Sequence, residues 1–165
     1  AGQGHDWPDA RILRANDLLL MTMDSYEGMF RMLAEGRFDY LPRAVNEPWA
    51  EVEAFDEWNL AIEKELLLYY PAASYFFVQP DDDRLAQRLR AGLEHALADG
   101  SFRELFRGHP INRKAFNEVD LLQRRVLCLK NPLLPETTPL QDDRLWWLPS
   151  SLRCGKPLSA TMKAK

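Results

Sequence analysis

The stretch from Asp24 to Arg43 constrains this chain most, because it spells a capped amphipathic helix, a left-handed stop and a short strand in immediate succession. Asp24 and Glu27 have the three-residue spacing of a capping box. Tyr26, Met29, Phe30 and Leu33 recur on one helical face, and Gly36 stands where a helix C-cap calls for positive φ. Phe38 to Leu41 fits a strand that Pro42 ends, so Arg43 is expected at a strand's carboxyl end, the edge where open α/β sheets hold ligands. A guanidinium there offers a planar fork that grips a carboxylate through two charge-assisted hydrogen bonds. The competing reading of Arg43 is a surface residue paired with Asp39 or Glu47.

The flanking segments extend the same alternation of elements. Ahead of it, Asp6 is placed to cap a helix with Trp7 and Pro8 in its first turn, Asp9 favouring the helix dipole and Ile12 and Leu13 beginning the buried face. Gly2 and Gly4 before that helix suggest a turn or a loop whose amides approach a ligand. Leu18 to Met23 is nearly all apolar, as suits a parallel strand buried on both faces. Helix, strand, helix, strand is the order of βαβ units.

Further on, Asn46 is expected to cap a short helix with Pro48 in its first turn and an apolar stripe of Trp49, Val52 and Phe55. Asp81 to Asp83 supplies acidic caps for the clearest helix in the chain, with Leu85, Leu89, Leu93 and Leu97 as its core-facing stripe and Gly100 as its stop. Val119 to Leu129 reads as helix or strand. Lys130 to Pro139, with prolines at 132, 135 and 139, reads as extended. Trp146 and Trp147 are candidates to dock on the core or a partner, and Lys156 to Lys165 looks like a disordered tail.

Composition removes several classes of function. With 46% apolar and 28% charged residues over 165 positions, the chain has the make-up of a globular domain and not of a disordered one. A net charge of −4, with no basic cluster longer than Arg124-Arg125, argues against a nucleic-acid partner. The longest apolar run, Leu66 to Val78, is shorter than the ~20 residues of a spanning helix and is interrupted by Pro71. There is no G-x-S-x-G, H-E-x-x-H, P-loop or C-x-x-C pattern, and His5, His95 and His109 lack ligand spacing. Asp81 to Asp83 and Asp142-Asp143 read as caps and solvated charge. No catalytic residue, metal ligand or cofactor is therefore assigned. Cys128 and Cys154 are the only cysteines, which leaves one disulfide or two free thiols open.

Gly36-Arg-Phe-Asp-Tyr-Leu-Pro-Arg43, followed by Asn46-Glu47, resembles the second lobe of type 2 periplasmic substrate-binding proteins, the group related to polar amino-acid receptors of ABC transporters. Gly2 to Asp9 is similar to the first loop and helix start of that lobe. Tyr75 to Val78, with Leu85 to Gly100 and the following Ser101-Phe102, is similar to its return strand and late helix. The resemblance spans roughly Gly2 to Phe106. It implies an α/β chain of type 2 periplasmic-binding-protein topology, a βαβ lobe with C-terminal helices in which the N-terminal half of the first lobe is absent. Residues 1–70 would be the ligand-binding lobe, with a hinge region from Tyr69 to Val78 bent at Pro71. Residues 71–130 would be the return segment, and 131–165 an extended C-terminal segment and tail. The chain opens on Ala-Gly-Gln-Gly, without initiator Met or signal-peptide pattern, so it is expected to start inside a longer protein or after processing.

The function so implied is reversible binding of a small polar or anionic solute in an interlobe cleft, without chemical change and without a cofactor. The location is periplasmic, where a Cys128–Cys154 bridge is permitted. The partner is a membrane permease or a sensor. Arg43 leads the candidate ligand residues, joined by His5, Asp6, Trp7, Tyr26 and Glu47. In amino-acid receptors an acidic residue that binds the substrate ammonium follows the strand. Ala44 holds that position here, and Glu47 is the nearby replacement. The alternative function is a sensor or interaction module of a signalling protein, and a weaker one is an enzyme on the same fold, as in lytic transglycosylases with a receptor-like domain. Lacking its complement, the chain is also expected to leave apolar surface and sheet edge uncovered, and either to self-associate or to bind ligand far more weakly than the complete protein.

Overall fold

The most buried strand is the one with the weakest sequence signal. In the computed structural model, which describes residues 1–118 and 123–146, Gly2–Gly4 forms β1 with all its residues buried. It runs parallel to β2, Met21–Met23, in the register Gly2 to Met21 and Gly4 to Met23. The reading of Gly2 and Gly4 as a loop is thus corrected, while the helix start within Gly2 to Asp9 stands at Pro8. Glycine is required because rings press on this strand: a Cβ on Gly2 would lie 2.2 Å from the Phe38 ring, and one on Gly4 2.5 Å from the Trp7 ring.

The chain separates into two compact units, Ala1–Ala72 with Leu121–Lys165, and Ala73–Asp120. In the first unit, α1 (Pro8–Arg14) buries Ala10, Ile12 and Leu13, with Pro8 at its start. Its N-cap is Trp7 and not Asp6, and no side chain caps it. β2 is shorter than the apolar run that contains it, and Leu19 and Met21 are exposed. Among the described residues only β1 pairs with β2, whose residues are exposed or half-buried, so it is an edge strand and not one buried on both faces.

Helix α2 (Tyr26–Ala34) starts at Ser25, whose hydroxyl accepts the Gly28 amide at 3.0 Å, so the cap lies one residue beyond Asp24. Met29 and Phe30 are its buried positions, and Gly36 adopts φ 68° as its stop requires. No ladder forms over residues 38–41, where the backbone bends instead. A backbone hydrogen bond from the Gly2 amide to the Tyr40 carbonyl, at 2.9 Å, ties this segment to β1. Phe38 is buried against Gly2, and Pro42 has no amide with which to extend the pairing.

Helix α3 (Pro48–Ala54) has Glu47, not Asn46, at its N-cap position, and its buried residue is Glu51. Trp49, Val52 and Phe55 are half-buried. Strand β3 (Leu66–Tyr69) pairs in parallel with β4 (Arg125–Cys128), Leu66 opposite Arg125 and Tyr69 opposite Cys128. The Asn16 side chain fastens the backbone just beyond β4: its amide donates to the Lys130 carbonyl and its oxygen accepts the Lys130 amide, both at 2.8 Å. Asn131 likewise donates to the Pro71 carbonyl at 2.8 Å. The segment from Lys130 to Pro139 is rich in turns rather than extended, and the Trp146 indole donates to the Pro139 carbonyl at 3.0 Å. Cys128 is disulfide-bonded. Cys154, the only other cysteine in the sequence, lies outside the described residues, as do Trp147 and Lys156 to Lys165.

The second unit contains α4 (Asp83–Asp99), α5 (Ser101–Gly108) and α6 (Pro110–Arg113). Asp82 caps α4 by accepting the Leu85 amide at 2.9 Å, and Gly100 ends it at φ 85°. The expectation that Leu85, Leu89, Leu93 and Leu97 form a core is corrected, since α4 buries none of its residues. The expected return strand is also corrected: residues 71–79 have no regular secondary structure. Tyr75, Phe76 and Phe77 are exposed there, Phe77 at 93%. The chain is thus a mixed α/β protein with small parallel sheets. No helix among the described residues is long and apolar enough to cross a membrane.

Candidate functional site

Three side chains meet at the carboxyl ends of the first sheet and its appended segment. Trp7 follows β1, Tyr26 follows β2 and Arg43 follows the stretch bonded to Gly2. The Arg43 guanidinium carbon lies 4.5 Å from the Trp7 ring centroid and 5.7 Å from that of Tyr26, within the range of cation–π attraction. An aromatic group backs this arrangement. Tyr26 meets Phe30 edge-on at 5.2 Å, Phe30 lies 4.5 Å from Phe55, and Phe55 stacks on Trp58 at 4.9 Å.

Two carboxylates complete the cluster, both from the start of α3. Glu51 accepts from Arg43 Nε through both its oxygens, at 2.9 and 3.0 Å, and its Oε1 lies 2.7 Å from Nη2. The Tyr26 hydroxyl donates to that same Oε1 at 2.6 Å. Glu47 Oε2 lies 3.0 Å from Nη2 and accepts the Ala44 amide at 2.9 Å. Burial differs sharply between the two acids, whose side chains are 8% exposed at Glu51 and 38% at Glu47, while that of Arg43 is 12% exposed.

The electrostatics reflect this packing. Burial opposes the Arg43 charge, but hydrogen bonding to Glu51 and the negative charges of Glu47 and Glu51 outweigh it and raise its pKa. Tyr26 is pushed up to about 12, first by desolvation and then by its bond to the Glu51 carboxylate. Elsewhere in the same unit, burial and a hydrogen bond to Asp9 raise Tyr70 well above the ordinary phenol value. Asp9 thus holds a tyrosine as well as standing in the first turn of α1.

Of the residues named from sequence, Arg43, Trp7, Tyr26 and Glu47 meet in this cluster. His5 and Asp6 do not: their exposed side chains lie 3.8 Å from each other, and among the described residues no hydrogen bond or ion pair joins either side chain to the four. Asp39 makes no ion pair with Arg43 among the described residues. Glu51 is the residue that sequence reasoning missed. Its signal is faint but real: Arg43, Glu47 and Glu51 are spaced by four, so an arginine that reaches the first acid of a helix face can reach the second. No group of acids, histidines and cysteines suited to a metal occurs among the described residues.

Fold and site together define a mixed α/β chain with an aromatic and charged cluster at the carboxyl ends of parallel strands. No protein-family model, curated protein or solved structure matches this chain.

Proposed function

We propose that the Trp7, Tyr26 and Arg43 cluster is one wall of a cleft that binds a small polar or anionic solute without changing it chemically. In this reading the chain is the second lobe and return segment of a type 2 periplasmic substrate-binding protein, serving a permease or a sensor. One observation carries the proposal: side chains from three separate segments converge where strands and a strand-bonded stretch end, the position at which α/β folds collect ligands. An aromatic face and a cation held over it suit a solute with a planar or oxyanionic group.

The test is a thermal-shift screen against amino acids, small carboxylates and phosphate, with calorimetry on each solute that raises the melting temperature. Binding is expected in the wild type and should weaken at least tenfold in Arg43→Ala, as expected when a charge-assisted partner is removed. Equal affinity in the two proteins would remove Arg43 from the site. Binding that depends on residues 73–120 alone would remove the cluster altogether.

A further inference from the structure

We infer that Glu47 is a built-in competitor for the anionic group of the solute, a carboxylate that occupies Arg43 until the solute displaces it, whereas Glu51 is the fixed counter-charge. This inference rests on the proposed solute-binding reading and adds a specificity-determining residue to it.

The two acids hold the same guanidinium in unequal ways. Glu51 receives three donors, Nε and Nη2 of Arg43 and the hydroxyl of Tyr26, at distances between 2.6 and 3.0 Å. It is almost fully buried, so releasing it would strand a desolvated charge. Glu47 makes one contact to Arg43, at Nη2, and one to the Ala44 amide, both through Oε2. Its side chain is over a third exposed, and water can take over both bonds when it swings out. Departure of Glu47 frees the position on Nη2 that it occupied, while Glu51 keeps Nε and its own contact to Nη2 and the Trp7 ring stays over the guanidinium.

Charge makes displacement necessary rather than optional. With Glu47 seated, one cation faces two carboxylates, and an arriving anion would enter a site of net negative charge. After Glu47 leaves, the incoming oxyanion restores the same one-to-two balance in the same geometry. Only a ligand with a better-placed oxyanion than Glu47 binds well, and neutral solutes gain nothing from the exchange.

The test titrates acetate and inorganic phosphate by NMR, using the Arg43 Nε–H and Ala44 amide signals of the whole chain. In the wild type both anions should move the Arg43 signal, and the Ala44 amide should shift with the same midpoint because it loses Glu47 as acceptor. Glu47→Gln should bind both anions about fivefold tighter, the upper end of what an exposed pair is worth, and Arg43→Ala should abolish the response. Anion binding that needs Arg43 yet is unchanged or weaker in Glu47→Gln, with a still Ala44 amide, would overturn the inference and leave the solute site standing. Anion binding indifferent to Arg43, or none, would overturn both.

Discussion

The two units of this chain use the same local grammar and reach different ends. In Ala1–Ala72 with Leu121–Lys165, a capped helix with an apolar stripe, α2, buries Met29 and Phe30. In Ala73–Asp120 a longer helix with a better cap and a cleaner leucine repeat, α4, buries nothing. Among the described residues the buried side chains of the second unit are Asn112 and Ala115. Capping and periodicity form a helix, but a core needs a second layer to cover the stripe. The first unit supplies that layer with β1, β2 and the Phe55 ring, which lies 4.5 Å from Phe30, all brought from elsewhere in the chain.

That contrast makes its strongest prediction in the cores. Leu13→Ala removes a fully buried side chain and should destabilise the first unit by about 3 kcal/mol. Leu93→Ala, on the half-exposed stripe of α4, should cost about 1 kcal/mol or less. All five tryptophans lie outside residues 73–120, so urea melts monitored by tryptophan fluorescence read the first unit, and far-UV circular dichroism reads both. Equal costs for the two substitutions would break the comparison.

Next in size is the buried ion pair. Glu51→Gln leaves Arg43 with Glu47 alone and deprives the Tyr26 hydroxyl of a charged acceptor, which should cost about 2–3 kcal/mol in the fluorescence melt. The exposed Arg88→Ala on α4 should stay within about 0.5 kcal/mol. A neutral result for Glu51→Gln would show that Glu47 alone is sufficient to hold the guanidinium.

What the sequence disclosed divides along the same line. Signals that act within a few residues were legible: Asp82 as cap, Gly36 and Gly100 as left-handed stops, Pro8 and Pro48 as first helical residues. Signals that depend on distant partners were not. β1 is Gly-Gln-Gly, which carries no strand propensity and is a strand only because Met21–Met23 and two aromatic rings close around it. Glu51 went unnamed because its partners, Arg43 and Tyr26, lie 8 and 25 residues away. Arg43 was legible from the apolar run and proline before it, whereas Trp7 and Tyr26 were named as cleft candidates without the strand β1 that places Trp7.

Helix caps offer a smaller and more selective test. Ser25→Ala and Asp82→Ala each remove an oxygen that accepts an amide in the first helical turn, an effect of about 1 kcal/mol. Loss of the Ser25 cap should lower the midpoint of the fluorescence melt, since α2 is part of the packed unit. Loss of the Asp82 cap should reduce helicity in circular dichroism and leave that midpoint in place. A shift of the fluorescence midpoint by Asp82→Ala would show that the units unfold together.

The smallest expected effect is alkaline. Tyr26 keeps its proton in the folded protein up to about 12, owing to burial and its bond to Glu51, whereas an unfolded tyrosine loses it near 10. Between those values the folded state binds more protons than the unfolded state, so stability falls as pH rises. The contribution is complete below pH ~10 and lost on passing through about 12. Tyr70, raised by burial and by Asp9, acts in the same direction and leaves a background slope when Tyr26 is removed. Because the Tyr26 ring is nearly half exposed, solvent screening keeps its share small. Melting temperatures measured from pH 9 upward should therefore decline less steeply in Tyr26→Phe than in the wild type, with the difference confined to the window above ~10. Parallel declines in the two proteins would mean that the Tyr26 hydroxyl does not share the Glu51 oxygen in solution, and would loosen the connection between α2 and the Arg43 cluster.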